Sequence, residues 1–421
     1  MKVDVAPADS LDAPVPQRRS TLVDPFRYRD FRLLWFGLAV SNVGTWMQIT
    51  ALGYLVVRMA GSAAAASLDV GILGASSAIP VLLLSPLAGV VADRFPRRRV
   101  LFITNSLQIV TALVLAILTG TGRIVSWDIF TLAAIRSGTQ AFDAPARQSW
   151  VPLLVPRELV ASAIGLNAIA FNAPSVVGPP IAGFLIVSAG IAMSFYINAV
   201  ATAAVVVALV FMRPAPPSSI SRQSVWASLR DGVAFLAADQ ILRSVFVVLV
   251  VCAILVRPYT QLMPAYAAHV VHVDARGLGA LLAASGAGAI LGSLLTAIAG
   301  ARARGKLWFA SAVVMSLASI ALGFVHGFAW AVLVLAVLGV AVLSFTTTTN
   351  VLIQTLSPDA MRGRLISVFS MVILGLIPLG SLALGSLATV FGLGPSLSLG
   401  GALAFGTVVW IWFANRRLRA A

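Results

Sequence analysis

Long apolar runs alternate with short polar segments along almost the whole chain. Each run has about 20 residues, which is enough for a helix to cross the hydrocarbon core of a bilayer. Six runs precede a polar segment at 213–240 and six follow it, so the pattern predicts an all-α integral membrane protein with twelve transmembrane helices in two six-helix halves. The predicted spans are approximately Phe31–Val57, Val70–Ala92, Val100–Thr119, Trp127–Ala146, Leu159–Val187, Ile191–Met212, Ile241–Ala268, Leu278–Gly300, Leu307–Val325, Ala329–Leu352, Leu365–Phe391 and Pro395–Ala414.

The polar segments also divide the chain into units. The predicted units are a disordered cytoplasmic tail (1–30), an N-terminal half (31–212), a cytoplasmic linker (213–240), a C-terminal half (241–414) and a short cytoplasmic tail (415–421). A weak internal repeat favours two related halves, since Pro156, Gly178 and Gly183 recur 202 residues later as Pro358, Gly380 and Gly385. Parallel halves that bind substrate between them are a known plan for transporters.

Composition and charge agree with this topology. The chain is 59% hydrophobic and 10% charged, which excludes an ordinary soluble domain. Its net charge of +15 would suggest nucleic acid in a soluble protein, but here 24 of the 29 basic residues fall in predicted cytoplasmic segments. Only Arg58, Arg123 and Arg276 fall in outer loops. The positive-inside rule therefore places both termini in the cytoplasm, with the protein in the inner (plasma) membrane and no nucleic-acid partner.

Two arginines lie inside predicted spans, Arg136 in the fourth and Arg257 in the seventh. A charge at the centre of a membrane helix is costly, so such residues are functional candidates unless they snorkel or pair structurally. Their depths agree, and they belong to different halves. Two positive charges at one level repel, which predicts a substrate with an acidic or strongly electron-rich group between them. Possible hydrogen-bonding neighbours are Asn42, Gln48, Asn172 and Gln261.

Few other residues offer chemistry. Asp143, near the inner end of the fourth span, is the best candidate for a group that carries protons, and Gln140 lies beside it. The chain has one cysteine, and its three histidines have no acidic cluster beside them, so we expect no metal site and no cofactor. No complete phosphate loop is present, because the one Gly-x-x-x-x-Gly-Lys match, at 300–306, is followed by Leu307 and not by the serine or threonine that the motif requires. We therefore expect secondary transport rather than an ATP-driven pump.

A charged loop follows the second span and carries Gly89, Asp93, Arg94, Arg97 and Arg98. A loop that only sets topology would need the arginines and no more. The spacing of the glycine, the Asp-Arg pair and the basic pair resembles the loop signature of the major facilitator superfamily. The resemblance covers about Phe31–Ala414, and it implies that this loop gates the inner side by pinning the second span to the start of the eleventh.

Further stretches resemble parts of the same superfamily. Gly178, Pro179 and Gly183 resemble the Gly-Pro signature in the fifth span of its exporters, which implies a helix that can bend there. Arg136 with Gln140 resembles its fourth-span arginine signature. The stretches 28–35, 144–156 and 257–264 look most like bacterial exporters of enterobactin and macrolides.

The resemblance implies proton-driven export, by alternating access, of a medium-sized organic molecule such as a drug, a siderophore or a related metabolite. The expected partners are that small molecule, protons and the lipid bilayer, and the expected state is a monomer. An importer or a lipid-moving transporter of the same fold remains an alternative, because sequence does not give direction. A membrane enzyme or scaffold is a further alternative, but no clustered His, Asp and Glu residues mark an interfacial hydrolase.

Overall fold

Long helices account for nearly all of the structure, a computed structural model that describes residues 21–213, 225–299 and 304–415. No β-strand occurs in these ranges. The first half comprises α1 (Arg29–Met59), α2 (Ala63–Arg94), α3 (Arg97–Gly120), α4 (Ser126–Trp150), α5 (Val160–Asn172), α6 (Pro174–Ala189) and α7 (Ile191–Phe211). The second half follows α8 (Val225–Ala238) and comprises α9 (Gln240–Leu255), α10 (Tyr259–His269), α11 (Ala275–Ile298), α12 (Arg304–Leu322), α13 (Phe328–Leu356), α14 (Asp359–Met371), α15 (Ile377–Phe391) and α16 (Leu393–Ala414).

Ten helical segments in the described ranges are long and apolar enough to cross a membrane. Three of the ten combine two helices each, α5 with α6, α9 with α10, and α14 with α15. The two remaining predicted spans correspond to α1 and α4, which are 31 and 25 residues long but more polar. With these two, the structure is consistent with the twelve predicted spans. Both helices carry candidate site residues, which is why they lack the apolar composition of the others.

The end of the predicted N-terminal tail is ordered. A short 3-10 turn, Asp24–Arg27, precedes α1, and Phe26 packs edge-on against Trp35 with ring centroids 4.9 Å apart. Phe26 also lies 5.8 Å from Phe31. The helical bundle therefore begins a few residues before the first predicted span, while residues 1–20 lie outside the described ranges.

Two spans are interrupted at equivalent places. The fifth span breaks at Ala173, between α5 and α6, and the eleventh contains a π-helical turn at Val372–Leu376, between α14 and α15. Ala173 and Gly375 are 202 residues apart, the period of the internal repeat. A proline follows each break, Pro174 or Pro378, and proline cannot donate the next helical hydrogen bond.

Two ends of the bundle differ in how the halves meet. The loop end carries the connections 59–63, 120–126, 189–191, 269–275, 322–328 and 391–393, and the terminal end carries the start of α1 and the last turn of α16. At the loop end one hydrophobic core spans both halves and includes Leu52, Leu55 and Phe195 with Leu278. At the terminal end the first half has a separate core. The halves are thus joined at the loop end.

Small residues allow the helices of the two halves to pack tightly against each other at the loop end. In the first seam, α6 packs against α11, and a Cβ built at Gly279 would lie 2.6 Å from the carbonyl oxygen of Pro179. In the second seam, α2 packs against α15, and a Cβ at Gly71 would lie 2.9 Å from the carbonyl oxygen of Ser381. Glycine allows helix backbones to approach this closely in a membrane. Glycines at equivalent positions of the internal repeat contact the opposite half, since Gly183 packs on Ala275 and Gly385 packs on Ser67.

The linker between the halves contains α8, which belongs to the second half by its contacts. Asp231 Oδ2 lies 3.0 Å from Arg364 Nη1 on α14. A Cβ at Gly232 would lie 3.3 Å from the carbonyl oxygen of Arg364. Residues 214–224 of the predicted linker lie outside the described ranges.

Candidate functional site

Arg136 and Arg257 lie at similar depth. Arg136 is 10 residues from the start of α4 at Ser126, and Arg257 is 12 residues before the end of α10 at His269. At 1.5 Å per residue both lie about 15–18 Å from the loop end, near the middle of a core about 30 Å thick. The two arginines therefore occupy the level at which transporters of this architecture bind substrate.

Among the described residues, neither arginine has an acidic partner. No ion pair within 4.0 Å involves Arg136 or Arg257 in the part of the chain that the structure describes. The Nε atom of Arg136 is buried and makes no hydrogen bond there. A partly buried guanidinium without a carboxylate is expensive in a membrane, up to about 2.5–3.5 kcal/mol on insertion scales. An anionic ligand would relieve this cost.

A break in the seventh span presents Arg257. The helix α9 ends at Leu255 and α10 begins at Tyr259, so Arg257 lies in the short non-helical connection. Its Nη1 donates to the hydroxyl of Thr346 on α13 at 2.5 Å. Broken helices near the midplane are typical of ligand sites in transporters, because they free polar backbone groups.

Gln261 lies one turn nearer the loop end than Arg257 and touches the second seam. A Cβ at Gly74 of α2 would lie 2.8 Å from Gln261 Oε1, so this side chain crosses from the second half to the first. The oxygen is buried and has no hydrogen-bond partner among the described residues. Contacts between the halves continue past the level of Arg257, where Gly375 packs against Leu82 of α2, and Gln261 offers an acceptor within this seam.

Asp143 of α4 lies in a polar cluster with residues of α3, separate from Arg136 and Arg257. Its Oδ1 accepts hydrogen bonds from Asn105 Nδ2 at 2.8 Å and from Thr104 Oγ1 at 3.3 Å. Its Oδ2 lies 3.4 Å from Arg147 Nε, an ion-pair distance without hydrogen-bond geometry. The Arg147 guanidinium lies over the ring of Phe171 on α5, 4.3 Å from its centroid. Asp143 thus ties three helices together.

The remaining candidates are dispersed. Asn42 donates to the carbonyl oxygen of Ala170 at 3.0 Å, and Gln48 is fully buried and accepts from Asn198. Asn172 is exposed at the end of α5, and Gln140 is partly buried in α4. No hydrogen bond or ion pair joins any two of the eight substrate or coupling candidates in the described ranges, so they do not form one preassembled pocket.

Part of the predicted gating loop lies outside what the structure describes. Gly89, Asp93 and Arg94 belong to the last turns of α2, and their side chains are outside the described residues. Arg97 and Arg98 bind within the first half. Arg97 Nε donates to Ser149 Oγ at 2.9 Å, and Arg98 Nη2 donates to the carbonyl oxygen of Val210 at 2.8 Å.

The fifth-span motif has a packing role in addition to any bending. Pro179 lies inside α6, while the helix break is at Ala173, five residues before Gly178. A Cβ at Gly178 would lie 2.6 Å from Trp46 Cβ, so this glycine brings α6 onto α1. Gly183 does the same for α11. The motif therefore connects the first half to the first seam.

Sequence reasoning did not single out the partners of these residues. Thr346 lies in a run of four threonines in α13, Thr346–Thr349, a polar patch in an apolar span that could have marked it. Asn105 lies in a short polar stretch of the third span, Thr104–Ser106, and its pairing with Asp143 requires knowing that α3 packs against α4. Among the described residues no group of three His, Cys, Asp or Glu side chains could hold a metal ion.

Comparisons with known proteins define the family. Residues 20–420 match the family described as transmembrane secretion effector. The multidrug efflux pump Tap of Mycolicibacterium fortuitum is 26% identical over 86% of this chain and 90% of its own length. The staphyloferrin A transporter of Staphylococcus aureus is 24% identical over 90% of this chain and 94% of its own. An uncharacterized MFS-type transporter of Bacillus subtilis, YfiS, is 28% identical, but the match covers only 38% of this chain and 36% of that protein.

A solved structure supports the fold. The D-xylose-proton symporter superposes with a TM-score of 0.70 over 94% of this chain and 99% of that one, at 14% identity. These findings confirm the fold class and the resemblance predicted from the loop signature, and they show that the protein is a transporter and not an enzyme. The chain is a multi-pass membrane protein that belongs to the transmembrane secretion effector family of the major facilitator superfamily.

Proposed function

We propose that this protein exports a small organic molecule with an acidic or electron-rich group across the bacterial plasma membrane, driven by protons. One observation carries the substrate class: two mid-membrane arginines from different halves have no acidic partner in the described ranges. Gln261, one turn from Arg257, contacts α2 across the second seam, which supports alternating access because a ligand held there contacts both halves. The names of the Tap pump and the staphyloferrin A transporter support export of a drug or a siderophore.

Topology supports the direction of the cycle. With both termini cytoplasmic, the loop end faces outward, and the packed seams close the outer side. A transporter closed on its outer side is in the state in which an exporter loads its substrate from the cytoplasm. The 24 basic residues in predicted inner segments support this orientation.

Asp143 is the proposed proton carrier, with Asn105 and Arg147 as its partners in the loop-end-closed state. Protonation would remove the charge that holds Arg147 and both amide and hydroxyl donors, so it would loosen the contact between α3, α4 and α5. The proposed substrate arginines, Arg136 and Arg257, and the proposed proton carrier, Asp143, lie in separate clusters. A proton and a substrate can therefore bind at different steps and be carried in opposite directions.

A susceptibility screen tests the substrate class. Cells that express the wild type should tolerate higher concentrations of carboxylate-bearing drugs or siderophores than cells without it. Arg136→Gln and Arg257→Gln should each lose this protection while detergent melting temperatures stay close to the wild type. Arg123→Gln, an exposed arginine at the loop end, is the matched control and should retain protection.

Other outcomes would separate the alternatives. Protection confined to cationic compounds, or normal protection in both arginine variants, would contradict the anion site. Poor folding in both variants with normal affinity in the surviving protein would show that the arginines are structural. Accumulation of the compound in expressing cells would favour an importer, and altered lipid distribution between leaflets would favour a lipid-moving transporter.

A further inference from the structure

A second candidate binding site lies on the outside of the bundle, along the first seam. A cleft of about 610 Å³ runs between α6 and α11. Its walls are apolar and mostly small, and its one charged lining residue is Arg276. Val176, Pro180 and Phe184 of α6 line it from one side, and Ala280, Ala284 and Ala287 of α11 line it from the other.

The seam itself forms the floor of this cleft. Gly279 approaches the carbonyl oxygen of Pro179, and a Cβ at Gly286 would lie 3.1 Å from the carbonyl oxygen of Ser175. Because the helix backbones touch beneath it, the cleft does not lead into the substrate site. It opens sideways, toward the hydrocarbon of the membrane. Exposed side chains such as Phe184, 58% accessible, mark its rim.

Its length fits one leaflet. From Arg276 to Ala287 is 11 residues of helix, or about 16 Å at 1.5 Å per residue. Half of a hydrocarbon core about 30 Å thick is about 15 Å. Arg276 is the second residue of α11, at the loop end, where lipid headgroups lie. The cleft thus runs from the headgroup level to the bilayer midplane.

The positive charge of Arg276 favours an anionic headgroup. Arg276 is exposed, its guanidinium carbon lies 5.8 Å from the centroid of the Phe184 ring, and no ion pair within 4.0 Å involves it in the described ranges. The nearby carboxylate of Asp274 accepts a hydrogen bond from the backbone N–H of Gly277 at 3.0 Å. A second cleft of about 390 Å³ continues past Arg276 to Phe328, which leaves room for a headgroup.

We propose that this cleft binds one anionic phospholipid, with its phosphate on Arg276 and an acyl chain along the alanines of α11. The small side chains of α11 leave the channel that the chain fills, and the arginine supplies the charge that the phosphate needs. Since the two walls belong to different halves, the lipid contacts both of them across the closed seam. This site is independent of the direction and the substrate of transport.

Native mass spectrometry of the full-length protein in detergent tests the site. Titration with dioleoylphosphatidylglycerol should show one lipid bound more tightly than dioleoylphosphatidylcholine. Arg276→Gln should weaken the phosphatidylglycerol affinity about fivefold, the effect of removing one basic residue at an anionic surface. Arg58→Gln removes another exposed loop-end arginine outside the cleft and should leave the affinity unchanged.

A second pair of variants tests the acyl channel. Ala284→Phe fills the cleft and should abolish the tight lipid, whereas Val200→Phe, at a 73% accessible position on α7, should not. Equal affinity for both lipids, equal loss in Arg276→Gln and Arg58→Gln, or retention of the tight lipid in Ala284→Phe would overturn the proposal. Competition by inorganic phosphate alone, as effective as by the lipid, would overturn it in favour of a free anion.

Discussion

Close backbone approaches in the first seam make its geometry directly testable. A Cβ built at Gly279 would lie 2.6 Å from the carbonyl oxygen of Pro179 and 3.0 Å from Pro180 Cα. Both neighbours are backbone atoms, so no side-chain rotation relieves the contact. An ordinary carbon–oxygen contact is about 3.3 Å, and Gly279→Ala therefore requires α6 and α11 to separate by about 0.7 Å.

That separation should shift the transport cycle. Overpacking of a tight contact costs about 1–3 kcal/mol. The higher helix propensity of alanine acts equally in both conformations, because α11 is helical in each, so it does not offset this cost in the equilibrium between them. We expect Gly279→Ala to favour the form open at the loop end by roughly fivefold to a hundredfold.

Spin labels at the loop end would measure the shift. Arg123→Cys and Trp330→Cys place one label on each half at exposed positions, and the native Cys252 is buried. Electron–electron distance measurements on the Gly279→Ala protein should show a larger share of long distances. The matched control is Gly406→Ala in α16, where a Cβ would meet no atom within 4 Å.

The Gly406→Ala control separates the effect of the seam contact from the general effect of alanine in a helix. Gly406→Ala should leave the distance distribution unchanged and raise the melting temperature slightly, because alanine is the better helix former by about 1 kcal/mol. If Gly279→Ala gives the same distribution as this control, the first seam does not hold the loop end closed, and the reasoning that its close glycine contacts join the halves there is refuted.

Three further predictions concern the cycle. Asp93→Asn should slow transport without loss of expression, since the signature loop implies that Asp93 pins α2 to the positive end of α14; unchanged transport in vesicles would remove this role. An ionophore that collapses the proton gradient should stop export, while depletion of ATP with the gradient held should not, and continued export without the gradient would exclude proton coupling. Asp143→Asn should abolish concentrative export in proteoliposomes but preserve substrate exchange, and Asn105→Ala should retain coupling; full concentrative export by Asp143→Asn would exclude Asp143 as the carrier.

Periodicity predicted the helical architecture well because a membrane imposes it. Backbone groups in hydrocarbon must be paired within their own helix, so a long apolar run leaves little choice of structure. Polar residues lower the apolar content of α1 and α4, yet the predicted spans Phe31–Val57 and Trp127–Ala146 both lie within these helices. Phe26 extends the ordered region into the predicted tail, through aromatic packing that hydropathy does not record.

The candidate site was only partly predictable. Charge inside a span identified Arg136 and Arg257, since the cost of burial depends on the residue and its depth. The partners depend on which helices touch and with what rotation, and one sequence does not fix these. Gln48 illustrates the limit, because its polarity suggested substrate, whereas the structure pairs it with Asn198 inside the first half. The contacts of Thr346 with Arg257 and of Asn105 with Asp143 were visible only from the helix packing in the structure.

The glycine contacts of α6 and α15 follow the internal repeat. Gly178 packs α6 on α1, and its equivalent Gly380 packs α15 on α9, where a Cβ would lie 2.8 Å from Ile254 Cα. Gly183 and Gly385 then cross to the opposite half. Each of these pieces, α6 and α15, begins after a break in its span, so each can change its angle to the piece before it while keeping its glycine contacts. Because the two pieces are equivalent and each closes one seam at the loop end, we expect the two seams to open together.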